Sequence, residues 1–154
     1  SNGKQTDDIH KALRRDADPV EVLVSSLKAW EYEPDEPNYT PRISGCVTSG
    51  AALNVLKRAE DGSVMRNSFA IPMIAGKGRM IATYTGVNVN PLPSFSGEPQ
   101  DIDISWNSAA EAVDALYDAL GPEPGADDFR VAAAAVYVDA GGRVSMQVKN
   151  RHSL

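Results

Sequence analysis

Two proline-bearing segments, residues 32–41 and 85–100, set the strictest limit on how this chain can fold. Proline lacks a backbone N–H and has a fixed φ, so neither segment can form a regular helix or a central strand. The first segment holds three prolines and three acidic residues within ten positions. Irregular segments of this length are uncommon in compact domains and often carry function. We therefore expect helices and strands arranged around two rigid, irregular segments.

Composition excludes several classes of protein. The 154 residues carry a formal net charge of -6, whereas general nucleic-acid binding needs a dense basic surface. One cysteine, Cys46, excludes an internal disulfide framework, and two histidines, His10 and His152, disfavour a histidine-rich metal site. No apolar run approaches the roughly 20 residues that cross a bilayer, and no signal peptide opens the sequence. We expect one cytoplasmic domain over residues 1–154, without nucleic acid, membrane, metal or cofactor.

Hydrophobic spacing predicts helices on either side of a region of strands. Residues 6–15 are expected to form a helix capped by Thr6 or Asp7, and residues 19–28 a helix capped by Asp18. A third helix should begin after Ser108 and end at Gly121. Alternating segments elsewhere predict an α+β fold with an antiparallel sheet and helices packed on a face. The predicted strands are residues 42–47, 52–57, 68–74, 79–84, 130–138 (where four alanines leave a helix open) and 144–149, with turns at 49–50, 61–62, 75–78 and 139–142.

The richest candidate for chemistry is the string EPDEPNYTPR at residues 33–42. Its prolines restrict the backbone, so polar side chains can be held in place without regular structure. Arg42 can present a planar fork to a phosphate or a carboxylate. Glu33 can serve as a general acid or base. The alternative is an exposed acidic loop with a surface salt bridge, and composition alone leaves both open.

Two other segments are weaker candidates. Residues 2–7 combine backbone N–H groups at a helix start with polar side chains, although ordinary capping by Thr6 and Asp7 explains them equally well. Residues 88–99 form a proline-punctuated segment that is either a pocket wall or lid, or a crossover connection. The string GKGR at residues 76–79 lacks the Walker pattern, so a hairpin turn is the better interpretation.

Three strings in this sequence resemble segments of the archaeal-type IMP cyclohydrolase family. They are SNGKQTD at residues 1–7, YEPDEPNYTPRISG at residues 32–45 and PLPSFSGEP at residues 91–99. They occur in the order that the family shows, which makes the resemblance more specific than any one string. It covers residues 1–104, and the remainder fits in element order only.

The resemblance implies a four-layer αββα sandwich of antiparallel sheets, like that of N-terminal-nucleophile hydrolases but without their self-cleavage, and incomplete in this chain. It implies the last step of purine synthesis, in which 5-formamidoimidazole-4-carboxamide ribonucleotide closes to inosine monophosphate (IMP) with loss of water. It also implies a purine-precursor ribonucleotide as ligand and no metal or redox cofactor. We expect the protein to be a homo-oligomer.

The resemblance also suggests roles for individual residues. Glu33 would act as acid or base, Arg42 would contact an anion or oxyanion, and Tyr39 would be a secondary proton donor. The residues expected to position base, ribose or phosphate are Asn2, Thr6, Asp7, Asn38 and Thr40.

The start of the sequence departs from the family pattern. Family members have further strands before the Asn-Gly turn, so we expect an upstream polypeptide to complete the fold. Ser1 fits a truncated chain, a piece of a longer or split polypeptide, or processing that leaves an N-terminal nucleophile. Two functions of other classes therefore stay open: a self-processed amide hydrolase that uses Ser1, and a non-catalytic nucleotide-binding subunit.

Overall fold

The computed structural model describes residues 3–14, 17–86 and 89–152, and it confirms the α+β class with antiparallel sheets. Two compact units, Ser1–Ile104 and Ser105–Leu154, divide the chain. The expectation of a single domain stays a prediction. The elements of the described residues are α1 (Gln5–Ala12), α2 (Pro19–Ser26), β1 (Arg42–Val47), β2 (Ala51–Arg58), β3 (Val64–Ile71), β4 (Lys77–Met80), β5 (Gln100–Asp103), α3 (Ala109–Ala119), β6 (Ala132–Val138) and β7 (Val144–Asn150).

The main sheet of the first unit is an antiparallel meander in the order β1-β2-β3. Its two turns lie where the sequence predicts them, at residues 49–50 and 61–62. Gly62 has a φ of 84°, a left-handed conformation that glycine adopts without steric cost. Short, local connections therefore join the end of β1 to β2 and the end of β2 to β3.

Helices α1 and α2 cover one face of this sheet. Cys46, Ala52 and Leu56 share that face because strand side chains alternate. They pack with Leu23 and Leu27, which are fully buried, in a cluster that also holds Ile9 and Val22. Burial raises the pKa of the Cys46 thiol, in line with a small hydrophobic residue rather than a reactive one.

The two helix starts had different outcomes. Asp18 caps α2 as predicted, because its carboxylate accepts from the N–H groups of Val20 (2.8 Å) and Glu21 (3.0 Å). The prediction that Thr6 or Asp7 caps α1 is wrong. The helix already begins at Gln5, since the Thr6 N–H donates to the Gly3 carbonyl at 3.0 Å and closes an earlier turn.

The third predicted hairpin, with its turn at residues 75–78, is also wrong. β3 ends at Ile71, before Pro72, which cannot donate to a sheet ladder. β4 pairs instead with β5, which the sequence did not reveal. Opposite charges face each other across this pair, Lys77 with Asp103 and Arg79 with Asp101, and such pairs favour the register.

The second unit is a helix on a two-stranded hairpin. Ser108 caps α3 by accepting from the Glu111 N–H at 3.1 Å. Residues 132–138 form a strand rather than a helix, and β7 follows the turn that the sequence predicts. Lys149 donates to Asp114 at 2.8 Å, so α3 lies on one face of the hairpin. On the other face Val136, Val144, Met146 and Val148 are at least half exposed.

Within the described ranges, no helix combines the length and the apolar composition that a membrane span requires.

Candidate functional site

Residues 32–41 fold into a compact loop around Asp35. The Asp35 carbonyl accepts from the backbone N–H groups of Asn38 (3.0 Å) and Tyr39 (3.1 Å). Tyr39 adopts a left-handed φ of 44°, which is uncommon for a non-glycine residue and reverses the chain. The Glu33 N–H then donates to the Thr40 carbonyl at 2.9 Å and closes the loop. The backbone of the loop is thus closed by its own hydrogen bonds.

The side chains of Glu33 and Arg42 form an ion pair at the base of this loop. Both carboxylate oxygens of Glu33 contact the guanidinium, and the Nη2–Oε2 hydrogen bond is 2.9 Å long. Arg42 Nε also donates to the Glu31 carbonyl at 2.7 Å. The guanidinium carbon lies 5.0 Å from the centre of the Trp30 ring. The Arg42 side chain is only 13% exposed, so this is more than a surface salt bridge.

Helix α1 reaches the same guanidinium through Gln5. The Gln5 side chain is buried, and its Oε1 accepts from Arg42 Nη1 at 3.2 Å. Thr6 follows Gln5 in the first turn, and its buried hydroxyl has no hydrogen-bond partner within the described part of the chain. Asp7 is exposed, and Asn2 lies outside the described residues. The structure therefore brings the start of α1 to Arg42, through a residue that the sequence did not single out.

The second irregular segment also packs against the first. The Asn38 side-chain oxygen accepts from the Leu92 N–H at 3.0 Å. The Thr40 hydroxyl is hydrogen-bonded to the hydroxyl of Tyr84, which directly precedes the second segment and bridges to its Ser94. Phe95 is buried, and its carbonyl accepts from Lys57 Nζ at 3.0 Å. The segment connects β4 to β5 and also lies beside the first loop, so these contacts agree with both interpretations.

Asp35 is the loop carboxylate with a shifted pKa. Its pKa is lowered mainly by the hydrogen bond from the Thr40 hydroxyl. The Thr40 N–H adds a second bond to Oδ1 at 2.7 Å. Both bonds favour the charged form, so Asp35 is ionised at neutral pH.

Besides Gln5, two residues of the site were not predicted from the sequence. Tyr84 reaches Thr40 from a different segment, and nothing in the sequence around it predicts that contact. Arg58 lies with its guanidinium carbon 4.5 Å from the centre of the Tyr39 ring. Within residues 3–14, 17–86 and 89–152 its guanidinium makes no hydrogen bond and no salt bridge. The only feature that could have pointed to Arg58 is a positive charge at the last position of β2, next to a turn.

The structure therefore brings together only some of the predicted site residues. Glu33 and Arg42 are bonded directly, and Asn38, Tyr39 and Thr40 belong to the same loop. A cavity of about 310 Å³ lies elsewhere, along β4 and β5, and none of the predicted residues lines it. The part of the chain that the structure describes holds no cluster of three metal-ligating side chains.

Comparison with known proteins assigns this chain to a family. The family described as IMP cyclohydrolase-like protein matches residues 1–142. The chain belongs to this family. An IMP cyclohydrolase from Methanothrix thermoacetophila is 30% identical over 92 residues, which are 60% of this chain. The match spans 44% of that relative, less than half of its length. No solved structure matches the chain.

Proposed function

We propose that this chain provides the nucleotide site of an IMP cyclohydrolase. The reaction would close 5-formamidoimidazole-4-carboxamide ribonucleotide to IMP and release water. The carboxamide nitrogen attacks the formyl carbon of the same molecule, so the substrate itself supplies much of the required proximity. The protein must accept a proton from nitrogen, stabilise an oxyanion and protonate the leaving hydroxyl.

One observation carries the proposal: the segments that resemble the family come together. The string at residues 1–7 contributes Gln5, which accepts from Arg42 in the string at residues 32–45. The string at residues 91–99 contributes the Leu92 N–H, which donates to Asn38. These segments are far apart in the sequence, so chain connectivity alone does not bring them together. Their contact in the fold therefore favours a shared role at one site.

In this proposal Glu33 is the acid or base, and Arg42 stabilises the developing oxyanion. Glu33 is 41% exposed, so a ligand can reach it. When its carboxylate accepts a proton, it would give up one of its two contacts with the Arg42 guanidinium. Arg42 has five donors, and its contacts with Glu31, Glu33 and Gln5 use four of them, so one N–H of Nη2 remains for the oxyanion. Tyr39 remains a secondary proton donor.

Binding of the nucleotide would use the neighbouring polar groups. Arg58 has its charge free of hydrogen bonds within the described residues, so it is the better partner for the phosphate than Arg42. The Tyr39 ring fixes its position without using an N–H group. The residues proposed to position base and ribose remain Asn2, Thr6, Asp7, Asn38 and Thr40.

We further propose that the fold is completed as a four-layer αββα sandwich. Each unit supports this with helices on one face of an antiparallel sheet or hairpin. The apolar face that α3 leaves open, with Val136 and Met146, is of the kind that sheet-on-sheet packing covers. Assembly as a homo-oligomer and a cytoplasmic location are proposed with it.

The test is the absorbance change on ring closure, measured with the natural polypeptide that contains this chain. We expect Glu33→Gln to lower kcat by about 10²- to 10⁴-fold, the usual contribution of one acid or base, while IMP binding stays within a few-fold. Glu36→Gln, an exposed carboxylate in the same loop, is the matched control and should keep full turnover.

Near-wild-type turnover in Glu33→Gln would eliminate its catalytic role. IMP binding without any turnover in the unaltered protein would indicate a nucleotide-binding subunit instead. Amide hydrolysis that is lost in Ser1→Ala would indicate the N-terminal-nucleophile alternative.

A further inference from the structure

Three side chains form a hydrogen-bonded chain that links the two irregular segments: Asp35, Thr40 and Tyr84. The Thr40 hydroxyl is at its centre and contacts both the Asp35 carboxylate and the Tyr84 hydroxyl. Asp35 and Thr40 belong to the loop at residues 32–41, whereas Tyr84 directly precedes the second segment and forms an isolated antiparallel bridge with Ser94 in that segment.

The direction of this chain follows from counting protons. Ionised Asp35 can only accept, and Thr40 has a single hydroxyl proton. That proton must be donated to Asp35, so the Thr40 oxygen has only lone pairs left for Tyr84. Tyr84 therefore donates its own proton to Thr40. The remaining lone pairs on the Tyr84 oxygen can only accept a hydrogen bond from another group.

We propose that Tyr84 is the hydrogen-bond acceptor that recognises an N–H of the purine ligand. This inference rests on the proposed function and adds a specificity-determining residue to it. In IMP the matching donor is the ring N1–H. Before ring closure the same nitrogen belongs to the carboxamide, so the contact would also hold the attacking nitrogen in place.

This contact would distinguish between two otherwise similar nucleotides. IMP carries a hydrogen on N1, whereas adenosine monophosphate (AMP) has a lone pair there. A tyrosine whose proton is committed to Thr40 would meet the AMP lone pair with its own lone pairs. Leaving such polar groups without a partner weakens binding by about tenfold. The site should therefore prefer IMP to AMP, and the preference should depend on Tyr84.

The experiment measures binding of IMP and of AMP by calorimetry, with circular dichroism as the check on folding. We expect the unaltered protein to bind IMP about tenfold more tightly than AMP. Tyr84→Phe should reduce that ratio to about one, mainly by weakening IMP binding. Tyr137→Phe, in β6 of the second unit, is the matched control and should leave the ratio unchanged.

Thr40 provides a second, independent pair of variants. Thr40→Val removes the hydroxyl that orients Tyr84 and should also abolish the preference, whereas Thr40→Ser keeps the hydroxyl and should retain it. If Tyr84→Phe does not fold, this pair decides the question. An equal affinity for IMP and AMP, or a preference that survives both Tyr84→Phe and Thr40→Val, overturns the role of Tyr84 alone. Absence of IMP binding in the unaltered protein overturns the proposed function as well.

Discussion

Arg42 and Arg58 show how neighbouring residues of one type come to have different roles. Arg42 is largely buried, and its donors meet protein acceptors on three sides. Within the described residues Arg58 contacts the face of the Tyr39 ring. The pKa of Asp61 is lowered mainly by the hydrogen bond from the Ser63 hydroxyl, and the charge of Arg58 adds a small contribution. The first arginine therefore organises the loop, and the second retains its donors for an anion.

This difference predicts the effect of removing Arg58. Arg58→Gln should weaken IMP binding by about tenfold, since a charge-assisted hydrogen bond to phosphate is lost. Binding of inosine, which lacks the phosphate, should not change. Arg143→Gln, at an exposed position in the turn between β6 and β7, is the control. Equal losses for IMP and inosine, measured by calorimetry, would contradict a phosphate contact.

At the scale of elements, α2 is the helix that anchors the main sheet. Leu23 has no exposed surface and belongs to the cluster that joins α2 to β1 and β2, whereas the next residue, Val24, is 55% exposed. Adjacent positions on one helix thus offer a buried and an exposed apolar side chain.

Leu23→Ala should lower the free energy of unfolding by about 3 kcal/mol, because it removes buried contacts and leaves a cavity. Val24→Ala should change it by only about 0.5 kcal/mol. Urea unfolding followed by circular dichroism measures both values. Similar losses for the two variants would show that α2 does not pack as described.

In the second unit, Asp128 joins the residues between α3 and β6. Its carboxylate accepts from the Arg130 backbone N–H (3.0 Å), from Nε (2.9 Å) and from Nη2 (2.9 Å). Arg130 Nη1 in turn donates to the Tyr117 carbonyl at 2.7 Å. These contacts, with the side-chain bond from Arg130 the largest, lower the pKa of Asp128 to about 2.

A lowered pKa means that protonation opposes folding. The Asp128 contribution should be complete above its ordinary value of 3.8 and should be lost as the pH falls towards about 2. Asp128→Asn should therefore flatten the pH dependence of unfolding in that window, whereas Asp127→Asn, at an exposed position, should not. A carboxyl NMR titration of Asp128 with a midpoint near 4 would contradict this.

At the scale of the whole molecule, the fold class followed from patterns that are local in sequence. Strands β1 and β2 and the turns after them depend on alternation and on turn residues a few positions apart, so they were predicted well. β4 and β5 are separated by 19 residues, from Met80 to Gln100, and their pairing rests on cross-strand charges that no local pattern contains. The third hairpin was mispredicted for this reason.

From the sequence alone, most of the helices and strands, the stiffness of the two proline-bearing segments and the family could be predicted. The segment at residues 33–42, which carries Glu33 and Arg42, could also be identified, because its prolines and charged residues can be read directly from the sequence. Which polar groups are free to bind a ligand depends instead on the tertiary fold. Whether a donor is already occupied depends on acceptors far away in sequence, such as Gln5 for Arg42 and Thr40 for Tyr84. Each donor or acceptor group can form only a limited number of hydrogen bonds, and the fold rather than the composition determines its partners.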